Sequence, residues 1–438
     1  MPASRRKPVV TASALLLSLL ILVGCTQRAD PTTQSEQPNP PAAPLPAISA
    51  IALPAVATPA TTAGSAPLNR RFGRAVAIDR GVALIAGVEG EQSSSTREVA
   101  YIYDFGRSSS GIATQLFVGA PSEFLRLGST RSVALSTRFA LVGMQDGIHI
   151  FRREPRGYQK AGQIRSTAAD DRNQLFGATV ALTADAIIVG APHTVQAGTV
   201  LVYGFKDNSW QQQQVLKGSE STPADLFGDE VVIDGERMLV SAWLSDNSRG
   251  AVYVYEKAAG KWVERARLSG PGADSWQFGR AVALAGDVAF ISENGYEVHM
   301  FRHTGEQWRL EQTVRKPDPE ANNTFGDTLA IDRTGTLLLI AAPSDGEGAN
   351  YSGAVYVYRN EQGTWKMVAK LKAPHPTEDA AFGTALALDD HTAIVGSWRQ
   401  EAFRFDPAGS LQLETPIGGE AHLLNLNLLV PALQSPVR

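Results

Sequence analysis

Apolar residues along this chain come in short runs, not in the stripes of an amphipathic helix. Between residues 69 and 416, runs of five to seven β-branched and aromatic residues alternate with turns rich in Gly, Asp and Asn. Runs of this length between turn signals are typical of β-strands. Several of them, such as Ala251–Tyr255, are apolar at every position. Because a strand of that kind is buried on both faces, we expect each sheet to be covered on both sides.

The runs form a unit that repeats. Each unit opens with Phe-Gly and an apolar run, continues through a tight turn and a second run, and ends with a third run after Gly and a fourth after Trp. The unit recurs about every 50 residues, with a weakened copy at Leu127-Gly128, so that seven copies fill residues 69–416. This pattern predicts an all-β fold, a seven-bladed β-propeller of four-stranded antiparallel blades. The repeated pairs are Phe72 and Gly73, Phe176 and Gly177, Phe227 and Gly228, Phe278 and Gly279, Phe325 and Gly326, and Phe382 and Gly383.

Two aromatic positions of the unit have an expected role in packing. The Phe of each pair should wedge between neighbouring blades, while its Gly should allow the close backbone turn into the innermost strand. Trp210, Trp262, Trp308 and Trp365 open the outer strands and are expected to pack blades as well, with ligand stacking as the alternative.

The motifs of this unit resemble those of the FG-GAP repeat. The resemblance lies in the Phe-Gly pairs, in Gly190-Ala191-Pro192, and in the Gly-x-Val-Tyr-Val-Tyr runs at Gly250 and Gly353. The FG-GAP repeat builds the propellers of integrin alpha subunits and occurs in many bacterial surface proteins, so the resemblance implies a propeller that binds a partner. Some integrin repeats hold Ca²⁺ in the first hairpin. The hairpins here, such as Thr183–Asp185, are too short to supply six or more oxygen ligands. We therefore expect no metal site and no cofactor.

Longer loops are predicted at the other end of the blades, and we call this end the loop rim. It is formed by the loops between the second and third strands and by the loops that enter each Phe-Gly. These loops carry many acids, among them Glu220 and Asp225. They could form a docking surface for a partner or a solvated edge that keeps the protein soluble. The candidate partner-binding residues are Asp246, Asn247, Asp274, Asp318, Glu320, Asp345, Glu347, Asn350, Glu378 and Asp379.

Motifs for catalysis are absent from the sequence. It contains no G-x-S-x-G, no H-E-x-x-H, no P-loop and no dinucleotide fingerprint. His299 and His303 are four residues apart, but on a strand this spacing does not place two metal ligands together. We therefore predict no catalytic residues and a binding, adhesion or scaffold protein with a protein or glycan partner. Two alternatives stay open: a polysaccharide-acting hydrolase or lyase on a propeller scaffold, and a structural subunit of a surface assembly or secretion complex.

The N-terminus has the features of an export signal. Three basic residues precede the apolar run Ala14–Gly24, which is short for a membrane span. The run ends in Leu22-Val23-Gly24-Cys25, which resembles the lipobox of bacterial lipoproteins, and Cys25 is the only cysteine. The resemblance implies that residues 1–24 are removed as a signal peptide and that Cys25 is lipidated. The membrane is then one partner, and the location is the cell envelope. Thr26 stands where Asp favours inner-membrane retention, which implies the outer membrane in a Gram-negative cell.

The remaining segments complete the predicted organisation. Residues 25–68 are rich in Pro and Ala and are expected to form an extended tether. Within the tether, Ala47–Leu53 could add a strand to the propeller. Residues 417–438 form a C-terminal tail that could add a strand or pack under the ring. The formal net charge of −4 becomes more negative without residues 1–24, and it argues against a nucleic-acid partner.

Overall fold

The computed structural model of the protein describes a large part of the predicted propeller. The described residues are 70–89, 97–105, 112–118, 131–144, 147–166, 175–192, 197–317, 324–373, 376–397, 403–405, 411–413, 420–430 and 433. Cys25, the signal peptide, the tether and the weakened copy at Leu127-Gly128 lie outside these residues. So do two of the candidate rim residues, Asp318 and Glu320.

Six sheets each contain four antiparallel strands that follow one another in the chain, so each is a meander. Blade 1 comprises β1 (Arg70–Asp79), β2 (Val82–Glu89), β3 (Arg97–Asp104) and β4 (Ile112–Val118), and blade 2 comprises β5 (Val133–Leu135), β6 (Phe139–Met144), β7 (Gly147–Glu154) and β8 (Gly157–Ile164). Blade 3 comprises β9 (Thr179–Leu182), β10 (Ala186–Ala191), β11 (Thr199–Lys206) and β12 (Ser209–Leu216), and blade 4 comprises β13 (Val231–Asp234), β14 (Arg237–Ala242), β15 (Ala251–Ala258) and β16 (Lys261–Leu268). Blade 5 comprises β17 (Val282–Ala285), β18 (Val288–Glu293), β19 (Glu297–Thr304) and β20 (Gln307–Arg315), and blade 6 comprises β21 (Leu329–Ile331), β22 (Leu337–Ala342), β23 (Ala354–Glu361) and β24 (Thr364–Leu371).

The seventh blade takes its third strand from further along the chain. β25 (Phe382–Asp389) and β26 (Thr392–Ser397) pair with β29 (Glu420–Asn425), which lies in the segment predicted to be the tail. The intervening strands β27 (Phe403–Phe405) and β28 (Leu411–Leu413) form a separate hairpin. Gly418-Gly419 directly precedes β29, as Gly250 precedes β15 and Gly353 precedes β23 in blades 4 and 6.

The chain closes into a ring, and the predicted seven-bladed, all-β propeller is confirmed. Each innermost strand (β1, β5, β9, β13, β17, β21, β25) contacts the innermost strand of the next blade, and β25 contacts β1. Val76, Ile85 and Tyr101 of blade 1 form one buried cluster with Ala385 and Ile394 of blade 7. Side-chain packing between the first and last blades therefore joins the ends of the ring.

Among the described residues there are two short helical segments, and in the first of them Asp246 and Asn247 have left-handed dihedral angles. These segments are α1 (Ser245–Ser248), in the loop between β14 and β15, and α2 (Leu426–Leu429), directly after β29. In the part of the chain that the structure describes, no helix is long and apolar enough to cross a membrane.

A repeated backbone contact joins each blade to the next. The N–H of Gly177 donates a hydrogen bond of 3.0 Å to the carbonyl of Gly190 in the second strand of its own blade. The Cα of Gly190 in turn faces the next blade, where a Cβ would overlap the carbonyl oxygen of Gly228. A Cβ on Gly396 in blade 7 would overlap the carbonyl oxygen of Gly73 in blade 1 in the same way. One contact therefore links consecutive blades and also closes the ring.

This contact explains two of the residues that the repeat keeps. The Phe-Gly glycines adopt φ angles from 81° at Gly73 to 103° at Gly383, a left-handed conformation that disfavours any residue with a Cβ. The facing second-strand position has space for only a small side chain, and it holds Gly190, Ser241 or Ala341 in blades 3, 4 and 6. The hydroxyl of Ser241 uses this proximity to donate to the carbonyl of the next Phe-Gly glycine.

The phenylalanines fill the space between blades. Phe227, Phe278, Phe325 and Phe382 are completely buried, and Phe176 is partly buried. Phe227 lies in a cluster that includes Ile188 and Val202 of blade 3 and Met238 of blade 4. Its ring meets the ring of Tyr253 edge-on at 5.3 Å. Each such Phe therefore contributes apolar area to two sheets at once.

The tryptophans of the outer strands also contact the neighbouring blade. Trp262 and Trp365 are buried, and Trp210 and Trp308 are half-buried. The side-chain amide of Gln214 in blade 3 makes two hydrogen bonds to the backbone of Trp262, of 2.6 and 3.0 Å. Gln312 of blade 5 makes the same pair to Trp365, at 2.8 and 2.9 Å. Hydrogen bonds from a glutamine side chain to the backbone of a tryptophan in the next blade thus add to the packing at the outer edge of the ring.

We expect Phe227→Ala to lower the free energy of unfolding by about 3–5 kcal/mol, because it leaves a cavity between two blades. Phe205→Ala is the matched control, since Phe205 is 49% exposed. Urea denaturation followed by tryptophan fluorescence measures both changes. Equal unfolding free energies for the two variants would show that Phe227 does not hold the blades together.

Candidate functional site

The loops between the second and third strands and the loops that enter each Phe-Gly meet at the loop rim. The N–H of Gln277, before the Phe-Gly of blade 5, donates to the carbonyl of Ser248 in the blade 4 loop at 2.7 Å. In the same way the N–H of Asp379 donates to the carbonyl of Asn350 at 2.9 Å, which joins blades 7 and 6. These two loops are therefore held by hydrogen bonds to the loop of the neighbouring blade.

Asp345 is completely buried below the loop rim and is not on its surface. Its carboxylate lies 3.0 Å from Nζ of Lys370 and 3.6 Å from Nζ of Lys316. It also accepts hydrogen bonds from the hydroxyl of Tyr356 and the N–H of Glu347, each at 3.1 Å. Asp345 therefore fixes the loop of blade 6 and does not present its charge to solvent.

Burial alone would raise the pKa of Asp345. The hydrogen bonds from Lys370 and from the N–H of Glu347, with the positive charges of Lys370 and Lys316, outweigh burial and hold its pKa below the usual value. The carboxylate is therefore ionised in the folded protein at neutral pH.

Blade 4 has a related but more exposed arrangement. Asp246 pairs with Arg267, and Glu220 lies 3.4 Å from the same guanidinium, which lies over the ring of Tyr253. Asp225 is buried and accepts hydrogen bonds from the N–H of Thr222 and the hydroxyl of Ser245. Asn247 next to Asp246 is exposed and has a φ of 60°.

Basic residues that the sequence analysis did not include neutralise much of this rim. Glu347 pairs with Lys370 at 2.8 Å and with Lys372 at 2.7 Å. Arg267 and Lys370 occupy the same position in their blades, each five residues after the Trp of the fourth strand and opposite a third-strand Tyr. A basic residue at this repeated position was the sequence feature that could have predicted a cation at the rim. In blades 4 and 6, therefore, the rim has mixed charge and is not uniformly acidic.

Exposed aromatic residues distinguish the rim of blades 5 and 6. Trp276 is 49% exposed, and Tyr296 and Tyr351 are each 40% exposed. The N–H of Trp276 donates to the side chain of Glu293, and the N–H of Tyr296 donates to the carbonyl of the same residue, so both are anchored at one point. The sequence signal was an aromatic residue within a polar loop, outside the strand pattern. The candidate residues Asp274, Asn350 and Glu378 are exposed in these or adjoining loops, and Asp379 is half-buried.

The arrangement most similar to a catalytic site contains Ser275, Glu293 and His299. His299 is completely buried, and its Nε2 lies 2.8 Å from Glu293 while its Nδ1 lies 2.9 Å from the hydroxyl of Thr313. Burial raises the pKa of Glu293, but hydrogen bonds from His299 and Ser275 hold it below the usual value. The carboxylate lies between the serine and the histidine, whereas activation of a serine requires the histidine beside it. These groups therefore stabilise the loop and do not form a nucleophile.

The two histidines considered for metal binding have separate partners. Nδ1 of His303 lies 2.8 Å from the guanidinium of Arg237, away from the contacts of His299. Among the described residues, no group of three or more His, Cys, Asp or Glu is placed to hold a metal ion.

A buried ion pair crosses the centre of the ring. Arg131, before β5 of blade 2, pairs with Glu230 before β13 of blade 4. The same guanidinium donates to the carbonyl of Val282 in blade 5 at 3.0 Å, and the N–H of Val282 donates to Glu230 at 2.7 Å. Burial raises the pKa of Glu230 to about 8, against the opposing charge of Arg131. The pair thus connects three blades at the rim end of the innermost strands.

Comparisons with known proteins agree with this architecture. The family described as FG-GAP repeat matches residues 210–255 and 308–358. No curated protein matches the chain in sequence. In structure the chain is similar to the β-propeller domain of Cps50 (Swd1) from Myceliophteria thermophila, with a TM-score of 0.52 and 12% identity, over 83% of this chain and 99% of that chain. At this identity the likeness supports the fold alone.

Two further solved structures are similar at lower TM-scores. Kluyveromyces lactis Hsv2 has a TM-score of 0.45 and 13% identity, over 80% of this chain and 98% of that chain. The computationally designed Ika8 protein has a TM-score of 0.43 and 11% identity, over 82% of this chain and 96% of that chain.

The fold defines a protein of the β-propeller class. Two stretches of it match the FG-GAP repeat, and each runs from the Trp of one blade to the third-strand Tyr of the next. The chain is therefore a β-propeller that contains FG-GAP repeats.

We expect Asp345→Asn to lower the free energy of unfolding by about 3–5 kcal/mol at pH 7, because it removes the buried negative charge that faces Lys316 and Lys370. The pKa of Asp345 is lower in the folded protein than in the unfolded chain. Its contribution is therefore complete above the unfolded value of about 3.9 and is lost as the pH falls below it. The difference from wild type should shrink on acidification.

The matched control for this prediction is Asp274→Asn, because Asp274 is exposed on the same rim. Urea denaturation at pH 7 and near pH 3 measures both variants. A loss of stability in Asp345→Asn that stays the same at both pH values would contradict an ionised, paired carboxylate.

Proposed function

We propose that this protein is a non-enzymatic binding or scaffold protein of the cell envelope that holds a protein or glycan partner on the loop rim of blades 5 and 6. The observation that supports this proposal is the exposure of Trp276, Tyr296 and Tyr351 in neighbouring loops. Aromatic residues are enriched at the centres of protein interfaces, and their ring faces also stack on sugars. The propeller fold is consistent with a binding role.

The surroundings of these rings fit recognition better than catalysis. Polar side chains that can donate or accept hydrogen bonds, Asp274 and Asn350, lie in the same loops. The hydrogen bonds that join Gln277 to Ser248 and Asp379 to Asn350 fix the loops before a partner arrives. Loops that are already ordered lose less conformational entropy on binding. The acids of this rim that could act in a hydrolase, Asp345 and Glu347, are ion-paired with lysines.

The location completes the proposal. Cys25 would carry the lipid that attaches the protein to a membrane, the outer membrane in a Gram-negative cell, and residues 25–68 would hold the propeller away from its surface. A single lipid group gives weak attachment, so several acyl chains on one cysteine would be required for stable anchoring. The partner would then be another envelope component or a glycan at the surface, as in adhesion or in a surface assembly.

Photo-crosslinking in living cells tests the binding surface. We expect a crosslinking amino acid at Asn247 or Asn350, on the loop rim, to give a discrete adduct. The same amino acid at Glu236, in the hairpin at the opposite end of blade 4, should give none. Adducts of equal strength from Glu236 would contradict a partner site on the rim.

A glycan array with purified propeller tests the alternative partner. Trp276→Ala combined with Tyr351→Ala should abolish glycan binding, while Phe205→Ala combined with Leu310→Ala should not, because these two exposed residues lie on strands β11 and β20 and not in the rim loops. Absence of both a rim-specific adduct and aromatic-dependent glycan binding would overturn the proposal.

We expect Cys25→Ser to move the protein from the membrane fraction to the soluble fraction and to abolish labelling by an alkyne fatty acid. The physical reason is that the thiol is the acceptor of the lipid and the only cysteine of the chain. Fractionation with and without detergent measures the change, and Ser18→Ala in the apolar run is the control. Continued membrane association of Cys25→Ser would exclude lipidation as the anchor.

A further inference from the structure

A cavity of about 290 Å³ opens at the end of the propeller opposite the loop rim. Its walls come from the hairpins between the first and second strands of blades 1, 2 and 3, and from Arg333 in the corresponding hairpin of blade 6. Blade 6 adjoins none of those three blades. A cavity that all four reach must therefore lie at the central axis, at the mouth of the ring.

Three arginines line this cavity, and only one of them has a carboxylate partner in the described structure. Arg333 lies 2.6 Å from Asp79 and 3.6 Å from Asp389. Arg80 and Arg138 are exposed, and no carboxylate of the described residues pairs with either guanidinium. The acid of the blade 3 hairpin, Asp185, is itself paired with Lys257 at 2.7 Å. The carboxylate of Asp389 also accepts a hydrogen bond from the backbone N–H of Arg80. Among the described residues, the three arginines and the two aspartates, Asp79 and Asp389, therefore leave one positive charge at this cavity.

The remaining walls are suited to a small polar ligand with an apolar face. Leu135, Phe139 and Leu182 supply apolar surface, while Thr137 supplies a hydroxyl. The guanidinium of Arg138 lies 5.5 Å from the ring centre of Phe139, which favours an orientation over the ring. The mouth thus combines arginines at its edge with apolar groups below them.

Arg80 occupies the left-handed position of its hairpin turn, with a φ of 49°. The corresponding residues are Gly235 and Gly286 in blades 4 and 5, with φ of 58° and 57°, and Asp390 in blade 7, with a φ of 50°. Glycine favours this conformation, and blade 1 instead places a large basic side chain there, at the edge of the cavity.

We propose that this cavity binds an anionic ligand of about the size of a monosaccharide, with a carboxylate held between Arg80 and Arg138. A guanidinium presents two parallel N–H groups that match the two oxygens of a carboxylate. The volume is close to the lower limit of about 300 Å³ for small-molecule sites, which fits a ligand of this size. This site is separate from the rim, and it does not depend on the function proposed there.

Isothermal titration calorimetry of the propeller with glucuronate, glucose 6-phosphate and glucose tests the inference. We expect glucuronate to bind, glucose not to bind, and affinity to fall at least tenfold in Arg80→Gln combined with Arg138→Gln. Arg309→Gln is the matched control, because Arg309 is an exposed arginine on an outer strand. Ala184→Trp, which fills the cavity and keeps both arginines, should also abolish binding.

The outcomes separate the sources of the anion. Binding of glucose 6-phosphate in place of glucuronate, with the same dependence on the two arginines, would support the site and assign it to a phosphate group. Binding of neither anion would overturn the inference. Binding that is unchanged in the double arginine variant or in Ala184→Trp would do the same, provided that thermal unfolding shows each variant to be folded.

Discussion

The structure depends on one close approach between backbones, in which the carbonyl of each Phe-Gly glycine lies against the second strand of the preceding blade. The approach is possible because the glycine is left-handed and the facing residue is small, as at Gly190 and Gly228. Once the backbones meet there, the adjacent Phe is enclosed by two sheets. The backbone contact thus allows the burial of the Phe side chain, and this apolar burial stabilises the blades.

The same contact accounts for how the ring is closed. Gly396 meets Gly73 as Gly190 meets Gly228, so the junction of the first and last blades needs no special chemistry. What differs in blade 7 is the source of its third strand. β29 brings His422 beside Phe382 at 5.2 Å, in the place where Tyr253 packs on Phe227. The hairpin of β27 and β28 is then an insertion in a blade that is otherwise regular at its inner strands.

The sequence predicted the parts of the fold that are fixed by local periodicity, and it did not predict those that depend on contacts between distant positions. Phe227 and its equivalents could be placed because they recur at a constant step. Asp345 could not be placed in this way. It is buried because it contacts Lys316, which follows the last strand of blade 5, and Lys370, which lies on the last strand of blade 6. A loop acid looks the same in a sequence whether it faces water or a buried lysine. The exposure of Trp276 could not be predicted either, since most tryptophans of this chain serve in packing.

Two surfaces of different chemistry lie at opposite ends of this ring. The rim of blades 5 and 6 offers aromatic rings and polar groups, whereas the hairpin end offers arginines around a cavity. Between them lie the innermost strands, which range from three residues in β5 and β21 to ten in β1. The buried pair of Arg131 and Glu230 crosses the ring at the rim end and ties blade 2 to blades 4 and 5. A structural change at one surface would therefore reach the other through blades that this ion pair joins.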